Sequence, residues 1–343
     1  MTESSPELAT TVEVPQRRSS IWRQSLLALA AVGLIFIAAT HWLQPDELAA
    51  ATAIPPWSWL IAFVAVAALG LRHAHRWQRA AFLLLACVYL LLVVEQTRSL
   101  ARSAWDWLPS AAPNARSFRV VSINCNVGSK LAAAEAARFE PDVVLLQESP
   151  NQEAVQALAA TLFGEEGAVV WSTDCSIVAR GSLQASDQQG RSFVQATWTR
   201  SDGRMVEIVC VRLSPPVVRY DLWSPDCWRE HAAARRQHRQ ETKLIRSALA
   251  SIPKGRPILL GGDCNCPAAD GALCEWSPLL EDAFKSAGRG WGATVLNRVP
   301  VLRFDQLWSS AELTPHGVWA VQSERSDHRL VAGEFEIRSS LAE

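Results

Sequence analysis

The sequence predicts an α/β protein in which a two-sheet α/β sandwich, flanked by helices, follows three transmembrane helices. Two observations carry this prediction. The first hundred residues hold three apolar stretches, and from Ser117 onward short runs rich in Val, Ile and Leu alternate with helical segments. Mixed strands and helices over a segment of this length, about 230 residues, are typical of two packed sheets with helices outside them.

The N-terminal third is predicted to be a membrane region. Residues 1–20 are polar and without periodicity, so we expect a disordered tail there. Residues 24–45 and 48–71 carry no charged side chain, and each is long enough to cross a hydrocarbon core of about 30 Å. Residues 80–94 form a shorter stretch, which spans only if flanking side chains reach the interface or the bilayer thins.

Tryptophans mark the ends of these stretches, as in the aromatic belts of membrane proteins. They are Trp22, Trp42, Trp57, Trp59, Trp77, Trp105 and Trp107. A buried, soluble helical hairpin is the alternative. We assign residues 21–102 to the membrane region, 103–116 to a linker, 117–338 to the folded domain and 339–343 to a tail.

The basic residues predict the orientation. They precede the first stretch and separate the second from the third, at Arg17, Arg18, Arg23, Arg72, Arg76 and Arg79. The loop between the first two stretches has no Lys or Arg, so the positive-inside rule places the N-terminus in the cytoplasm. Three crossings then make this an integral protein of the cell or inner membrane with an extracytoplasmic domain. If the third stretch does not cross, the domain is cytoplasmic.

After residue 117 the predicted strands are 118–124, 142–148, 169–171, 176–178, 193–198, 206–213, 258–260, 304–308 and 330–337. The predicted helices are 131–139, 152–162 and 229–250. The last helix has a basic face, formed by Arg235, Arg236, His238, Arg239, Lys243 and Arg246. We expect a solvated helix face, with a local anion site as the alternative.

Polar side chains end, or lie next to, four of the predicted strands. They are Asn124 and Asn126, Glu148, Asp263 and Asn265, and Asp327 with His328. A carboxylate that ends a strand of Val and Leu must reach the edge of the sheet, because burying it unpaired costs several kcal/mol. Several such ends at one edge would form an oxygen-rich pocket for a hard cation such as Mg²⁺. Each acid on its own is more often a loop residue.

These pieces follow the order of a known family. The segments are Ser122-Ile-Asn124, Pro141-Asp-Val-Val-Leu-Leu-Gln-Glu148, Gly262-Asp263-Cys264-Asn265, Phe304-Asp305 and Ser326-Asp327-His328. Over residues 118–337 the chain resembles the endonuclease/exonuclease/phosphatase superfamily, which has the four-layer fold of deoxyribonuclease I. The resemblance implies a metal-dependent hydrolase of phosphate esters, acting as nuclease, phosphodiesterase or phosphatase by in-line attack of water. A catalytically weak or inactive membrane-tethered binding module is the alternative.

The resemblance also implies roles for individual residues. Mg²⁺ or Mn²⁺ would be bound by Glu148, with Asn124, Asn126 and Asp327 completing the metal site. The catalytic residues would be Asp263, which orients or deprotonates water, Asn265, which holds a phosphate oxygen, and His328, which contacts the phosphate and is oriented by Asp305.

Two positions depart from the family pattern. Where the family usually has a His after the strand 206–211, this chain has Arg212. Arginine does not donate a proton at neutral pH, but it can clamp a phosphate with two hydrogen bonds. Cys264 replaces the usual Phe, and we expect its side chain to point away from the site.

Charge and cysteine content refine these expectations. From Ser103 onward, 25 Lys and Arg face 28 Asp and Glu. That balance is a poor footprint for a nuclease that tracks phosphates, so a lipid head group or small phosphodiester is favoured over nucleic acid. The domain holds seven of the eight cysteines. Buried free thiols are the default, and a disulfide between Cys125 and Cys264 is a hypothesis that an extracytoplasmic location permits.

Overall fold

The computed structural model describes residues 16–72, 74–104 and 116–338. The N-terminal region comprises helices α1 (Gln16–Leu43), α2 (Ala49–Thr52), α3 (Pro56–Leu71), α4 (Arg76–Leu92) and α5 (Gln96–Ala104). Helix α1 begins inside the tail that the sequence predicted to be disordered. Residues 1–15, most of the predicted linker and the predicted C-terminal tail lie outside the described residues, as do Trp105 and Trp107.

The prediction of three separate membrane helices needs correction. Among the described residues, only Ser25–Leu43 forms a single helix long and apolar enough to cross a membrane. Helices α3 and α4 have 16 and 17 residues. At about 1.5 Å per residue each is shorter than a hydrocarbon core of about 30 Å. They qualify only when paired with α2 and α5, from which they are bent by 75° and 78° respectively.

The N-terminal helices pack against one another and keep an apolar outer surface. Ala30 and Ala67 are fully buried where α1 meets α3, and Tyr89 of α4 is 2% exposed. Large apolar side chains remain exposed on the outside, including Leu29, Val32, Ile35, Leu69, Leu84 and Leu92. An apolar surface of this kind marks a site of contact with another protein or with a membrane.

The domain is built on two sheets. The first has the strand order β10 (Gly288–Arg289), β12 (Leu313–Val321), β13 (Leu330–Ile337), β1 (Ser117–Asn124), β2 (Val143–Gln147), β4 (Cys175–Arg180) and β3 (Gly167–Val170). The second has the order β5 (Ser182–Ala185), β6 (Phe193–Thr199), β7 (Met205–Arg212), β8 (Ile258–Asp263), β11 (Asp305–Ser309) and β9 (Glu281–Asp282). Strands β1 and β2 are parallel, as are β7 and β8.

Alternation along the strands produces four layers. In β1, Phe118 and Val120 belong to the core between the sheets, while Val121 and Ile123 face outward. Helices α6 (Lys130–Ala134) and α7 (Gln152–Phe163) cover the first sheet, and α8 (Pro225–Ala250) covers the second. A short helix, α9 (Ala283–Ala287), packs its Phe284 into the central core. The α/β sandwich predicted from the sequence is confirmed.

Four strands were not predicted: β5, β9, β10 and β12. The sequence of the longest, β12, explains why that strand was missed. It contains Pro315 and Gly317, two residues that argue against a strand. The pairing of β12 with β13 is irregular between these two positions. A bulge accommodates both residues, so the strand continues through a sequence that has no clear strand pattern.

The prediction of a solvated basic face on α8 is only partly right: Arg236, Lys243 and Arg246 are exposed, but Arg235, His238 and Arg239 face other parts of the protein. Arg235 is 2% exposed, and its Nη1 donates to the carbonyl oxygens of Gln44 and Pro45 at 3.3 and 3.1 Å. Arg239 forms a two-bond ion pair with Asp46 at 2.8 and 2.7 Å. This helix therefore docks the domain onto the segment between α1 and α2.

The Cys125–Cys264 disulfide is not formed, since all eight cysteines are free. Cys125 packs between the first sheet and its covering helices, whereas Cys264 packs between the second sheet and α8. The two thiols therefore lie on opposite outer sides of the sandwich. Cys264 is completely buried, and its side chain fills that outer core.

Gly262 allows close contact between β7 and β8. Its φ is 148°, and a Cβ at this position would lie 1.9 Å from the carbonyl oxygen of Val211. We expect Gly262→Ala to lower the free energy of unfolding by several kcal/mol, on the order of 4, because backbone must move. Gly203→Ala is the control, since Gly203 has a φ of 81° and nothing within 4 Å of its Cβ position. Chemical denaturation measures the unfolding free energy of both variants. Equal losses of unfolding free energy would contradict this explanation.

Candidate active site

Three neighbouring strands of the second sheet bring polar side chains to one edge. Arg212 of β7 is aligned with Asp263 of β8, and Asp263 is aligned with Asp305 of β11. Each of these residues lies at one end of its strand, and that end faces the C-terminal ends of β1 and β2. Asp263 and Asp305 are 1% and 0% exposed, so two carboxylates are buried side by side.

The first sheet contributes an amide that joins two carboxylates. Asn124 ends β1, and its Nδ2 donates to Asp263 Oδ2 at 3.1 Å and to Glu148 Oε1 at 3.3 Å. Its Oδ1 accepts the N–H of Asn126 at 2.9 Å, which fixes the orientation of the amide. Asn124 therefore links the two sheets across the edge of the sandwich.

His328 completes the cluster. Its Nδ1 donates to Asp305 Oδ2 at 2.8 Å, and the ligand atoms of Asp263, Asp305 and His328 all lie within 4.8 Å of one another. The other oxygen of Asp305, Oδ1, is buried and has no hydrogen-bond partner among the described residues. The side chain of His328 is 12% exposed, so the cluster is reachable from solvent through the imidazole.

Burial sets the protonation of this cluster. Burial, followed by the charge of Asp305, raises the pKa of Asp263 to about 6. Burial alone would lower the pKa of His328, but the carboxylate of Asp305 outweighs it and raises that pKa to about 10. At neutral pH the site therefore holds an imidazolium beside a carboxylate that is ionised but close to its pKa.

Glu148 is held by three donors. Arg212 Nη2 donates to Oε1 at 2.9 Å, together with Asn124, and the N–H of Val127 donates to Oε2 at 2.6 Å. Burial would raise the pKa of Glu148, but the Val127 N–H and the charge of Arg212 hold it below its usual value. Arg212 also contacts Asp174, at 3.3 Å, so its guanidinium lies between two carboxylates.

Two residues of the predicted metal site are not brought into this cluster. Asn126 and Asp327 are exposed, and the described contacts near the cluster involve only their backbone. Asn265 is buried beside Asp263, and its backbone N–H donates to Asp263 Oδ1 at 2.9 Å. One hydrogen of its side-chain amide goes to the carbonyl oxygen of Leu213 at 2.8 Å, which leaves the second for a ligand.

Glu148 and Asn265 share an uncommon backbone conformation. Their φ values are 47° and 49°, in the left-handed region that residues other than Gly rarely adopt. Each such residue costs about 1–3 kcal/mol and persists only where its surroundings enforce it. Glu148 directly follows β2 and Asn265 lies two residues after the end of β8, so both strained residues lie at the candidate site.

The residues present fit a divalent cation at Glu148 better than at the cluster around His328. Hard cations such as Mg²⁺ prefer oxygen ligands, and Glu148 is ionised and partly exposed. A cation among Asp263, Asp305 and His328 would have to displace the proton of an imidazolium whose pKa is about 10. In that cluster Asp305 Oδ1, which has no hydrogen-bond partner among the described residues, remains a free acceptor.

Three supporting residues were not assigned a role from the sequence. Ser326 Oγ donates to the carbonyl oxygen of Asn124 at 2.7 Å and accepts the N–H of His328 at 3.1 Å. Thr294 Oγ1 accepts the N–H of Asp305 at 3.1 Å. Ser326 adjoins the Asp-His pair, so its position was a usable signal. Nothing in the sequence around Thr294 or Asp174 pointed to the site.

Comparison with known proteins agrees with this geometry. The model of the Endonuclease/Exonuclease/phosphatase family matches residues 121–328, from the middle of β1 to His328. A search of curated proteins found no match.

Solved structures share the fold at low sequence identity. A family protein from Bacteroides thetaiotaomicron matches with a TM-score of 0.51 and 10% identity, covering 65% of this chain and 96% of that chain. A relative from Bacteroides vulgatus matches with 0.50 and 16%, covering 65% and 99%. The mannosyl-6-phosphatase of Bacteroides thetaiotaomicron matches with 0.50 and 12%, covering 64% and 99%. Because the family model matches more than half of the residues of this chain, the chain belongs to the endonuclease/exonuclease/phosphatase family.

Proposed function

We propose that this protein is a membrane-anchored, divalent-metal-dependent hydrolase of phosphate esters. The observation that carries the proposal is the juxtaposition of Asp263, Asp305 and His328 within 4.8 Å, beside Glu148. An imidazolium, an amide and a carboxylate close to its pKa are the groups that a phosphoryl transfer to water requires. The family assignment supports the same chemistry, since its members include nucleases and phosphatases.

The roles follow from the contacts. Imidazolium His328, held by Asp305, would neutralise charge on a phosphoryl oxygen, and Asn265 would donate to a second one through its free amide hydrogen. Asp263 would accept a proton from the attacking water while Asn124 and the Asn265 N–H keep the carboxylate in place. The water oxygen then bonds to phosphorus, and the ester oxygen on the opposite side departs.

The leaving group receives no proton from Arg212, because a guanidinium stays charged at neutral pH. The departing oxygen must therefore leave as an anion and take its proton from solvent. We propose that this site prefers leaving groups of low pKa, such as aryl phosphates.

Mg²⁺ or Mn²⁺ would be held by Glu148, supported by Asn124 and by exposed oxygens of Asn126 and Asp327. When bound, the ion supplies a Lewis acid that polarises the phosphoryl oxygens. The protein residues then only position the ester and take up the proton.

The membrane placement is part of the proposal. Helix α1 would cross the bilayer, and the bent pairs α2–α3 and α4–α5 would supply two further crossings, with α3 and α4 as the crossing helices and α2 and α5 nearer the surface. The segment between α1 and α2 contacts α8 through Arg235 and Arg239, so this segment and the domain lie on one side. With the N-terminus cytoplasmic, that side is extracytoplasmic. A reporter fused after Glu343 that works only in the cytoplasm would overturn this orientation.

The function is tested on the purified full-length chain in detergent, with bis-p-nitrophenyl phosphate as diester and p-nitrophenyl phosphate as monoester. We expect hydrolysis with Mg²⁺ or Mn²⁺ and its loss with EDTA. Asp263→Ala should be inactive. Glu165→Ala, which changes an exposed acid just after the end of α7, should match the wild type. No hydrolysis of either ester would favour a membrane-tethered binding module that has kept the fold.

The pH profile of hydrolysis should follow Asp263. Because the ionised carboxylate takes the proton from water, log kcat should rise with pH up to about 6 and then level off. The imidazolium of His328 should keep the rate high until the pH approaches about 10. A plateau that extends unchanged well below pH 5 would exclude Asp263 as the proton acceptor.

Arg212 should compete with the metal for Glu148. Its guanidinium donates to the Glu148 carboxylate, the group that would hold the cation, and a partly exposed ion pair contributes up to about 1 kcal/mol. We therefore expect Arg212→Gln to bind Mn²⁺ up to about fivefold more tightly in a calorimetric titration. Arg219→Gln removes a comparable charge that pairs with Asp221, and it should leave Mn²⁺ affinity unchanged. A weaker affinity in Arg212→Gln would contradict the competition.

A further inference from the structure

A cavity lies where the membrane helices meet the domain. It is about 190 Å³ in volume and is bounded by the end of α1, the bend between α4 and α5, and helix α9. The residues that define its character are His41, Trp42, Leu92, Arg98, Arg102 and Lys285. None of them belongs to the candidate active site.

Three cations line this cavity without a carboxylate partner. Among the residues that the structure describes, Arg98, Arg102 and Lys285 form no ion pair, and Arg102 donates only to the carbonyl oxygens of Gly288 and Phe284. Arg98 and Arg102 are one helical turn apart on α5, so their charges repel. A cluster of this kind is stabilised by an anion.

The acid that lines the cavity does not meet this need. Glu95 is engaged through both carboxylate oxygens by Arg303, which also pairs with Asp282. The charge of Glu95 also attracts Arg102, but Glu95 is the only acid among the lining residues described, against three cations. The positive charge of the cavity is therefore not neutralised from within.

The mouth of the cavity is apolar. Trp42 and Leu43 at the end of α1 are 87% and 73% exposed, and Leu91 and Leu92 at the end of α4 are 55% and 69% exposed. Within the cavity region, His41 Nε2 is buried and has no hydrogen-bond partner among the described residues. A ligand that fits must combine an anionic head with an apolar body.

The orientation of α5 places these groups at a bilayer surface. Helix α5 is bent by 78° from α4, so it runs along the surface if α4 crosses the bilayer. Arg98 and Arg102 then lie at the depth of lipid head groups, with Trp42 at the interface where tryptophan is favoured. Basic pockets between membrane helices bind acidic phospholipid head groups at the cytoplasmic surface of other membrane proteins, and the same charge pairing applies to this pocket at the opposite surface.

We propose that this cavity binds the phosphate of an anionic glycerophospholipid, through Arg98, Arg102 and Lys285, with the acyl chains lying along α1 and α4. The lipid is a bound structural ligand at a site separate from the hydrolytic cluster. Its charge offsets the repulsion between the two arginines and joins α5 to α9 of the domain.

The test uses the full-length chain purified in a neutral detergent, with its melting temperature measured by intrinsic fluorescence. Short-chain phosphatidylglycerol should raise Tm by roughly 5 °C at a hundredfold excess over its Kd. Phosphatidylcholine of the same chain length should give no comparable shift. Inorganic phosphate tests whether a free anion is sufficient. An equal rise in Tm with inorganic phosphate alone would overturn the assignment to a lipid.

Paired variants locate the site. Arg98→Gln with Lys285→Gln removes two exposed cations and should weaken phosphatidylglycerol binding about fivefold for each. Lys243→Gln with Arg246→Gln removes the same charge from α8, where both cations face Glu275, and should bind as the wild type does. Native mass spectrometry gives a second readout of lipid retention that does not depend on stability. Equal retention in both pairs would reject the cavity as the binding site.

Discussion

Asp263→Asn should reduce the rate of phosphoester hydrolysis about 10²–10⁴-fold without unfolding the protein. The amide cannot accept a proton from water at neutral pH, so the step assigned to this carboxylate is lost. The substitution also removes one of two buried charges that face each other at Asp263 and Asp305. We therefore expect the melting temperature of the variant to equal or exceed that of the wild type.

This combination of results separates a carboxylate that acts as a catalytic base from one that serves only the structure. A purely structural carboxylate, which accepts hydrogen bonds from Asn124 and Asn265, would cost stability when changed and leave kcat nearly intact. Parallel measurements of kcat and Tm on the full-length chain decide between the two. Lower stability with unchanged kcat would show that Asp263 serves only the fold.

Arg303→Leu should lower the free energy of unfolding by about 3–5 kcal/mol, the largest loss of stability that we expect from a side chain. Arg303 is 4% exposed, and its Nη1 donates to Asp282 Oδ1 at 3.1 Å. The same guanidinium reaches Glu95 beyond the end of α4 and lies 4.9 Å from the ring centroid of Phe284. Removing it leaves Asp282 buried and unpaired.

Two further variants bracket this prediction in chemical denaturation. Glu95→Gln should cost about 1 kcal/mol or less, because Glu95 is 25% exposed and can be solvated. Arg303→Leu combined with Asp282→Leu should recover part of the loss, since no charge is then left buried. If Arg303→Leu lowers the free energy of unfolding no more than Glu95→Gln does, the buried ion pair of Arg303 and Asp282 does not stabilise the contact between the N-terminal helices and the domain.

The sequence was informative where a strand ends in a polar residue. Asn124, Asp263 and His328 could each be placed because apolar runs of Val, Ile and Leu stop beside them. The resemblance supplied their roles. The fold class followed from the same alternation of strands and helices, with β12 missed because a bulge tolerates its Pro and Gly.

The rest depended on pairings between residues far apart in the chain. The contact of Arg212 with Glu148 spans 64 residues, and no local pattern predicts which carboxylate an arginine meets. The same holds for Arg239 and Asp46, which are 193 residues apart. Charge counting predicted a solvated helix face because partners from the N-terminal region cannot be seen in the composition of α8.

Because α8 docks onto the N-terminal helices, the protein cannot be divided near residue 103 into two independent parts. Trp228 of α8 packs against the buried cluster of α1 and α4, and Trp291 lies 6.2 Å from Trp57, ring to ring. A soluble fragment that begins after α5 would expose these tryptophans and strip Arg235 of its carbonyl partners. The N-terminal helices are thus part of the folded unit, and if α1 crosses a bilayer as proposed, these contacts fix the orientation of the candidate active site relative to it.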